Sequence, residues 1–116
     1  MQTIQIINVT KGVVIAQQAQ IATSLGMRLK GLLGRSSLAA NQALVLKPCS
    51  SIHTFFMRFT IDVLFLDKNM QIIRILQNIP PNRLSPIVWG SKLTIELPAS
   101  RASQTNTQVG DRIEVK

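Results

Sequence analysis

Ile61-Asp62-Val63-Leu64-Phe65-Leu66-Asp67-Lys68-Asn69-Met70-Gln71-Ile72-Ile73-Arg74-Ile75-Leu76 holds two apolar runs of strand length joined by four residues suited to a turn. Branched and aromatic side chains favour an extended, half-buried backbone, and Asp67 and Asn69 can bond their own main chain and accept left-handed geometry. The stretch predicts a strand over 61–66, a turn over 67–70 and a returning strand over 71–76. Strands joined so closely must run antiparallel, and that pairing decides the class of the fold.

Working outward, Ala43-Leu44-Val45-Leu46 reads as a short buried strand that runs into the Lys47–Thr60 segment. On the other side, Ile79-Pro80-Pro81-Asn82-Arg83-Leu84-Ser85-Pro86 is excluded from a central strand or a helix interior. Its three prolines lack donors and fix φ, so it is expected to be a surface loop leading to Ile87-Val88-Trp89-Gly90. A strand over 92–97 follows, then a short helix opened by Pro98 over 98–104, a turn at Val109-Gly110-Asp111 and a closing strand over 112–116. Upstream, runs at 2–8 and 13–17 flank Val9-Thr10-Lys11-Gly12, a hairpin in which Gly12 supplies the positive φ.

Between these sheets Thr23 is the expected N-cap of a helix over 24–33, with Leu25, Leu29, Leu32 and Leu33 on one stripe and Gly34 at the stop. Gly26 and Gly31 inside such a helix would each cost about 1 kcal/mol relative to Ala. Gly31 is expected where another backbone packs closely. The element order is β-β-α-β-β-β-β-α-β. One helix cannot supply repeated crossovers, so the fold class is α+β, mostly β. A curved antiparallel sheet or partly closed barrel, with one main helix packed on it, is the expected architecture.

The 116 residues suit one domain, 1–116, with no internal repeat or boundary. Residues 1–8 lack a basic leader followed by a long apolar core, and no apolar run approaches the roughly 20 residues of a membrane span. The single Cys leaves no internal disulfide, and an unpaired thiol is easiest to keep in the cytoplasm, the expected location. The net charge of +8 favours encounter with polyanions, yet only Arg28, Lys30 and Arg35 cluster. A nucleic-acid-binding module is therefore kept as an alternative and not favoured.

Chemistry concentrates in Cys49-Ser50-Ser51-Ile52-His53-Thr54-Phe55-Phe56-Met57-Arg58, which holds the only Cys and the only His. Cys49, His53 and Met57 are spaced by four and share a face in extended backbone. As soft ligands they are weak candidates for Cu(I) or Zn(II), with no second His and no CxxC in support, so neither metal nor cofactor is expected. A nucleophilic alternative takes Cys49 as thiolate, His53 as base and Asp62 as the group orienting it. The plainer possibility is packing: Met57 and Cys49 as core, His53 hydrogen-bonded in a loop or strand. Phe55, Phe56 and Phe59 around Arg58 lack the glycine spacing of RNA-binding platforms, and such Phe residues are expected in the core. Asp62, ahead of an apolar run, must meet Arg58, Arg28 or a backbone turn, because burying it alone would cost several kcal/mol. Glu96 raises the same question. Signatures of P-loop, dinucleotide, α/β-hydrolase and zincin chemistry are missing.

Arg28-Leu29-Lys30-Gly31-Leu32-Leu33-Gly34-Arg35, the Cys49–Asp67 stretch, Ile95-Glu96-Leu97-Pro98-Ala99 and Val109-Gly110-Asp111 together resemble the bacterial and archaeal family called domain of unknown function 192. The four blocks agree in order and spacing. Thr60 departs from the family's usual Pro, and Ser100 from its usual Gly. The resemblance implies a compact, mostly β fold with a helix against it and brings no activity. It implies a shared pocket drawn from Arg28, Gly31, His53, Thr54, Met57, Asp62, Glu96, Gly110 and Asp111. Some members of the matching branch are associated with pilus or secretion systems, which makes a protein partner one option.

These readings favour a small non-enzymatic binding or accessory domain with its pocket around Cys49–Asp67. The expected ligand-binding residues are Arg28, His53, Thr54, Met57 and Asp62, and a small anionic ligand or a protein is the expected partner. The alternatives are an enzyme using Cys49 and His53, with Asp62 as third candidate, and the nucleic-acid module.

Overall fold

The computed structural model describes residues 4–116. Its elements are β1 (Ile4–Asn8), β2 (Val13–Ala22), α1 (Leu25–Lys30), β3 (Gln42–Leu46), β4 (Ile61–Leu66), β5 (Ile72–Ile79), β6 (Leu93–Pro98), α2 (Arg101–Gln104) and β7 (Ile113–Val115). This is the expected order. Residues 2 and 3 of the expected first strand lie outside the described residues, as do the side chains of Leu25 and Leu29; of that stripe, Leu32 is buried and Leu33 half-buried.

The seven strands form one sheet in the order β5-β4-β6-β3-β2-β1-β7. It curls until its two edges meet at one end, where Gln71 bridges Arg112 and the Ile72 N–H donates to the Asp111 carbonyl at 2.9 Å. The result is a half-barrel. Its pairs are antiparallel except β2 and β3, which run parallel because α1 carries the chain across between them. Two short helices replace the expected single main helix. α1 spans six residues, and Ser24, not Thr23, caps it, accepting from the Met27 N–H at 3.1 Å. It stops early because Gly31 is its C-cap at φ 48°. A β-carbon there would lie 3.7 Å from the Arg28 carbonyl of its own turn and 3.7 Å from the Glu96 Oε1, so the segment packed against Gly31 meets it with a side chain and not with backbone.

The curl gives the sheet two apolar faces. Alternation sends Val45, Leu64, Leu66, Leu93, Ile95, Leu97 and Ile113 into the barrel interior. The opposite face carries Leu44, Leu46, Ile61, Val63 and Phe65, covered by Leu32, Ile52, Met57 and Val88 from outside the sheet. The cover is held by a ladder between two irregular segments. Val88 N–H donates to the Ser50 carbonyl at 2.8 Å, Ser85 N–H to Ile52 at 2.9 Å and Thr54 N–H to Arg83 at 2.8 Å. The expected proline loop is therefore an ordered partner of the Cys49–Met57 segment. Phe65 is fully buried, but Phe55 and Phe56 are exposed, contrary to the expected core placement of the Phe residues.

Candidate functional site

A cavity of about 430 Å³ lies between the Arg28–Leu33 turn, the Pro48–Met57 segment and β6, within the size range of small-molecule sites. Its position follows from register. Glu96 pairs with Leu44 on one side and Val63 on the other, so its side chain leaves the sheet on the covered face, between two apolar neighbours. The cover does not fill the space above it, because Gly31 presents no side chain there. Ser91 and Thr94 hold the far wall, donating to the Cys49 carbonyl at 2.8 and 3.2 Å.

Glu96 is only 3% exposed, and among the described residues no hydrogen bond or ion pair reaches its carboxyl group. Burial without a compensating partner pushes its pKa up to about 7. His53, also on the wall, stacks on Phe55 with ring centroids 5.5 Å apart, and its Nδ1 is buried without a hydrogen-bond partner. Two residues with unpartnered polar groups thus line one cavity, and one of those groups, the His53 Nδ1, is fully buried, although buried polar groups are nearly always paired. The lining also includes three cations, Arg28, Lys30 and Lys92. Arg28 is anchored by its Nη1, which donates to the Thr23 carbonyl at 2.7 Å.

The structure brings Arg28, Cys49, His53 and Met57 to this cavity and leaves Thr54 and Asp62 elsewhere. Thr54 is fully buried, donating to the Pro80 carbonyl at 2.7 Å and accepting from the Arg83 N–H at 2.8 Å. Asp62 pairs with Leu97 and points into the barrel, the opposite face from Glu96. Its oxygens accept from the N–H groups of Asn78 at 2.8 Å and Ala102 at 3.0 Å, so it meets a backbone turn and not an arginine. Gly110 and Asp111 sit in another pinning turn. Asp111 accepts from Asn8, the Gln108 N–H and Lys11; burial pushes its pKa up, but these bonds outweigh that and hold it below the ordinary range.

The arrangement a Cys-His-Asp nucleophile requires is therefore not formed. The Cys49 Sγ donates to the Ser51 carbonyl at 3.1 Å, and Asp62 lies across the sheet from His53. Among the described residues no three His, Cys, Asp or Glu side chains gather closely enough to hold a metal. A second depression of about 770 Å³ borders β7, but its charged residues Lys47, Arg112 and Glu114 are all exposed and need no partner. Sequence reasoning left Lys30 and Lys92 out of the site and placed Glu96 in it only through the family resemblance. The signal for Glu96 was present: alternation in Leu93-Thr94-Ile95-Glu96-Leu97 sets it against the face of the three apolar residues.

A family model covers residues 6–115, that of DUF192, described as an uncharacterized ACR. The chain belongs to this family. It is 34% identical over 115 residues to a UPF0127 protein of Thermococcus sibiricus, covering 94% of this chain and 73% of the relative. A UPF0127 protein of Pyrococcus furiosus is 32% identical over 111 residues, covering 93% and 95%. Two crystal structures share the fold. A protein of unknown function from Novosphingobium aromaticivorans superposes with TM-score 0.84 at 18% identity, over 97% of this chain and 83% of that one. One from Sinorhizobium meliloti, described only as a candidate transcription regulator, gives TM-score 0.81 at 20% identity over 97% and 91%. Of the nine family-matched positions, Arg28, Gly31, His53, Met57 and Glu96 meet in the cavity, while Thr54, Asp62, Gly110 and Asp111 hold turns around the sheet.

Proposed function

We infer that this DUF192 protein is a binding domain for a small anionic molecule, taken into the cavity beside His53. The observation that carries the reading is the pairing of unmet groups with unmatched charge. His53, whose Nδ1 is buried without a hydrogen-bond partner, and Glu96, whose carboxyl group meets no hydrogen bond among the described residues, line a cavity that also holds Arg28, Lys30 and Lys92. A neutral Glu96 offers an O–H donor to an anion at the cavity floor, and the basic side chains supply charge-assisted hydrogen bonds. Leu32, Leu46 and Ile52 provide an apolar wall, which suits an organic carboxylate or phosphate with a hydrocarbon body better than a bare ion. The free thiol of Cys49 is in keeping with a reducing, cytoplasmic setting.

The test is calorimetric titration of the protein with benzoate, succinate and phenyl phosphate. At least one should bind, and Arg28→Ala should weaken that binding roughly tenfold or more, the value of a hydrogen bond to a charged group. Affinity should fall as pH rises through about 7, where Glu96 loses its proton. Absence of binding by all three probes, or equal binding by the Arg28 variant, would overturn the reading.

A further inference from the structure

The ladder that covers the sheet also carries most of the large apolar side chains left in solvent. Phe56 is 84% exposed, Trp89 86%, Leu84 68% and Ile87 57%, with Phe55 at 41%. They are neighbours in space. His53 bridges Leu84, the Phe56 N–H donates to the Asn82 Oδ1 at 3.2 Å, and the ladder continues to the Val88–Ser50 bond. The backbone rungs from Thr54 to Ser50 extend over roughly 13 Å at strand spacing, with Phe56 in the turn beyond them. Phe56 holds its place at φ 64°, a conformation that costs a residue with an aromatic side chain and no local hydrogen-bonding group. An apolar ridge of this extent marks an interaction surface.

Charge decides what it meets. Segments 47–60 and 79–92 contain Lys47, Arg58, Arg83 and Lys92 and not one Asp or Glu. All four basic side chains are exposed, and the chain's five acidic residues lie in other segments. Trp, Phe, Leu and Ile held up among cations match the layered chemistry of an anionic bilayer surface, which takes aromatic and aliphatic side chains at the headgroup boundary and attracts cations to it. A protein partner would need a shaped pocket for each ring, and Leu84 and Ile87 offer nucleic-acid bases no stacking plane. We propose that the Phe55–Arg58 and Arg83–Trp89 ridge docks the protein on anionic lipid membranes, with Trp89 and Phe56 entering the headgroup layer. It is a peripheral contact; no helix among the described residues is long and apolar enough to cross a membrane.

Trp89 is the only tryptophan, so its emission reports on the ridge alone. Mixed phosphatidylcholine/phosphatidylglycerol vesicles should shift that emission to the blue, and lipids brominated on their acyl chains should quench it. Pure phosphatidylcholine vesicles should do so far less. Replacing Phe56 and Leu84 together by Ala should cut partitioning at least about tenfold, the value of one buried apolar side chain. Arg58→Gln and Arg83→Gln should each cost about fivefold. All four side chains are exposed, and an unchanged circular dichroism spectrum would show that the variants keep the fold. Unshifted emission on the anionic vesicles would overturn the proposal. Binding that survives Phe56→Ala/Leu84→Ala would overturn it too, by assigning attraction to the net charge. So would quenching by single-stranded DNA with no response to vesicles, which would make the ridge a nucleic-acid surface.

Discussion

Replacing Glu96 by Gln should stabilise the protein above neutral pH and leave it nearly unchanged in mild acid. The folded carboxyl titrates at about 7 against an ordinary value of 4.5, because burial between Leu44 and Val63 penalises its charged form. Between those two values the native state holds a proton that the unfolded chain releases. Stability from this group is therefore fully present below pH 4.5 and lost as pH climbs to about 7. A gap of that size corresponds to about 3 kcal/mol. Gln keeps the shape and cannot ionise, so the variant escapes the loss. Urea unfolding followed by circular dichroism at pH 4.5 and about 8 measures both ends. The difference between variant and parent should grow from near zero to about 3 kcal/mol in favour of the variant. A difference that does not change with pH, or a variant weaker than the parent at the higher pH, would refute the reasoning. The latter would mean that the carboxylate has a stabilising partner.

Three further outcomes follow from the same geometry. Asp62→Ala removes acceptors from the Asn78 and Ala102 N–H groups, the latter buried at the start of α2, and should cost about 3 kcal/mol in urea unfolding without changing anion affinity, since Asp62 faces away from the cavity. Gly31→Ala should cost about 3 kcal/mol because φ 48° with ψ −123° lies outside the left-handed helical region open to L-residues, and it should also weaken anion binding by narrowing the space above Glu96. Cys49 is half-buried on the cavity wall, so a saturating anion should slow its alkylation, read by mass spectrometry; equal rates with and without the anion would place the ligand elsewhere.

Much of the fold was legible because its strands obey simple alternation. β4 and the turn after it appear where Ile61–Leu66 and Asp67 place them, with the Asp67 carboxylate accepting from Asn69 at 2.8 Å and Gln71 at 3.0 Å. β2 was read short. It runs on to Ala22, but a register shift against β1 leaves Gln17 and Gln18 both exposed, and the broken alternation hides the continuation. The parallel pairing of β2 with β3 leaves no local trace, because it depends on where α1 delivers the chain. Gly31 was mistaken for a helix interior because its positive φ cannot be told from composition. Ser100 shows the converse: the expected oddity at this position is a serine held at φ 70°, where the family usually has glycine.

The site was half legible. Spacing by four drew attention to Cys49, His53 and Met57, and all three do reach one cavity. Asp62 attracted the same attention for a sound reason, a carboxylate beside an apolar run, but one residue of sheet register separates the two faces. The register that puts Leu64 and Leu66 inside the barrel takes Asp62 with them and leaves Glu96 outside. Lys92, just ahead of β6, joins Arg28 and Lys30 only because both segments border the same cavity, which no spacing along the chain records.

The central claim, that the cavity over Glu96 receives a small anion, is tested most directly by a two-dimensional ¹⁵N NMR titration with benzoate and phenyl phosphate. Shifts should concentrate on Gly31, Ser51, His53, Met57 and Glu96 and vanish in Arg28→Ala. Saturation with no change at these amides, or changes scattered over exposed lysines such as Lys68 and Lys116, would contradict it.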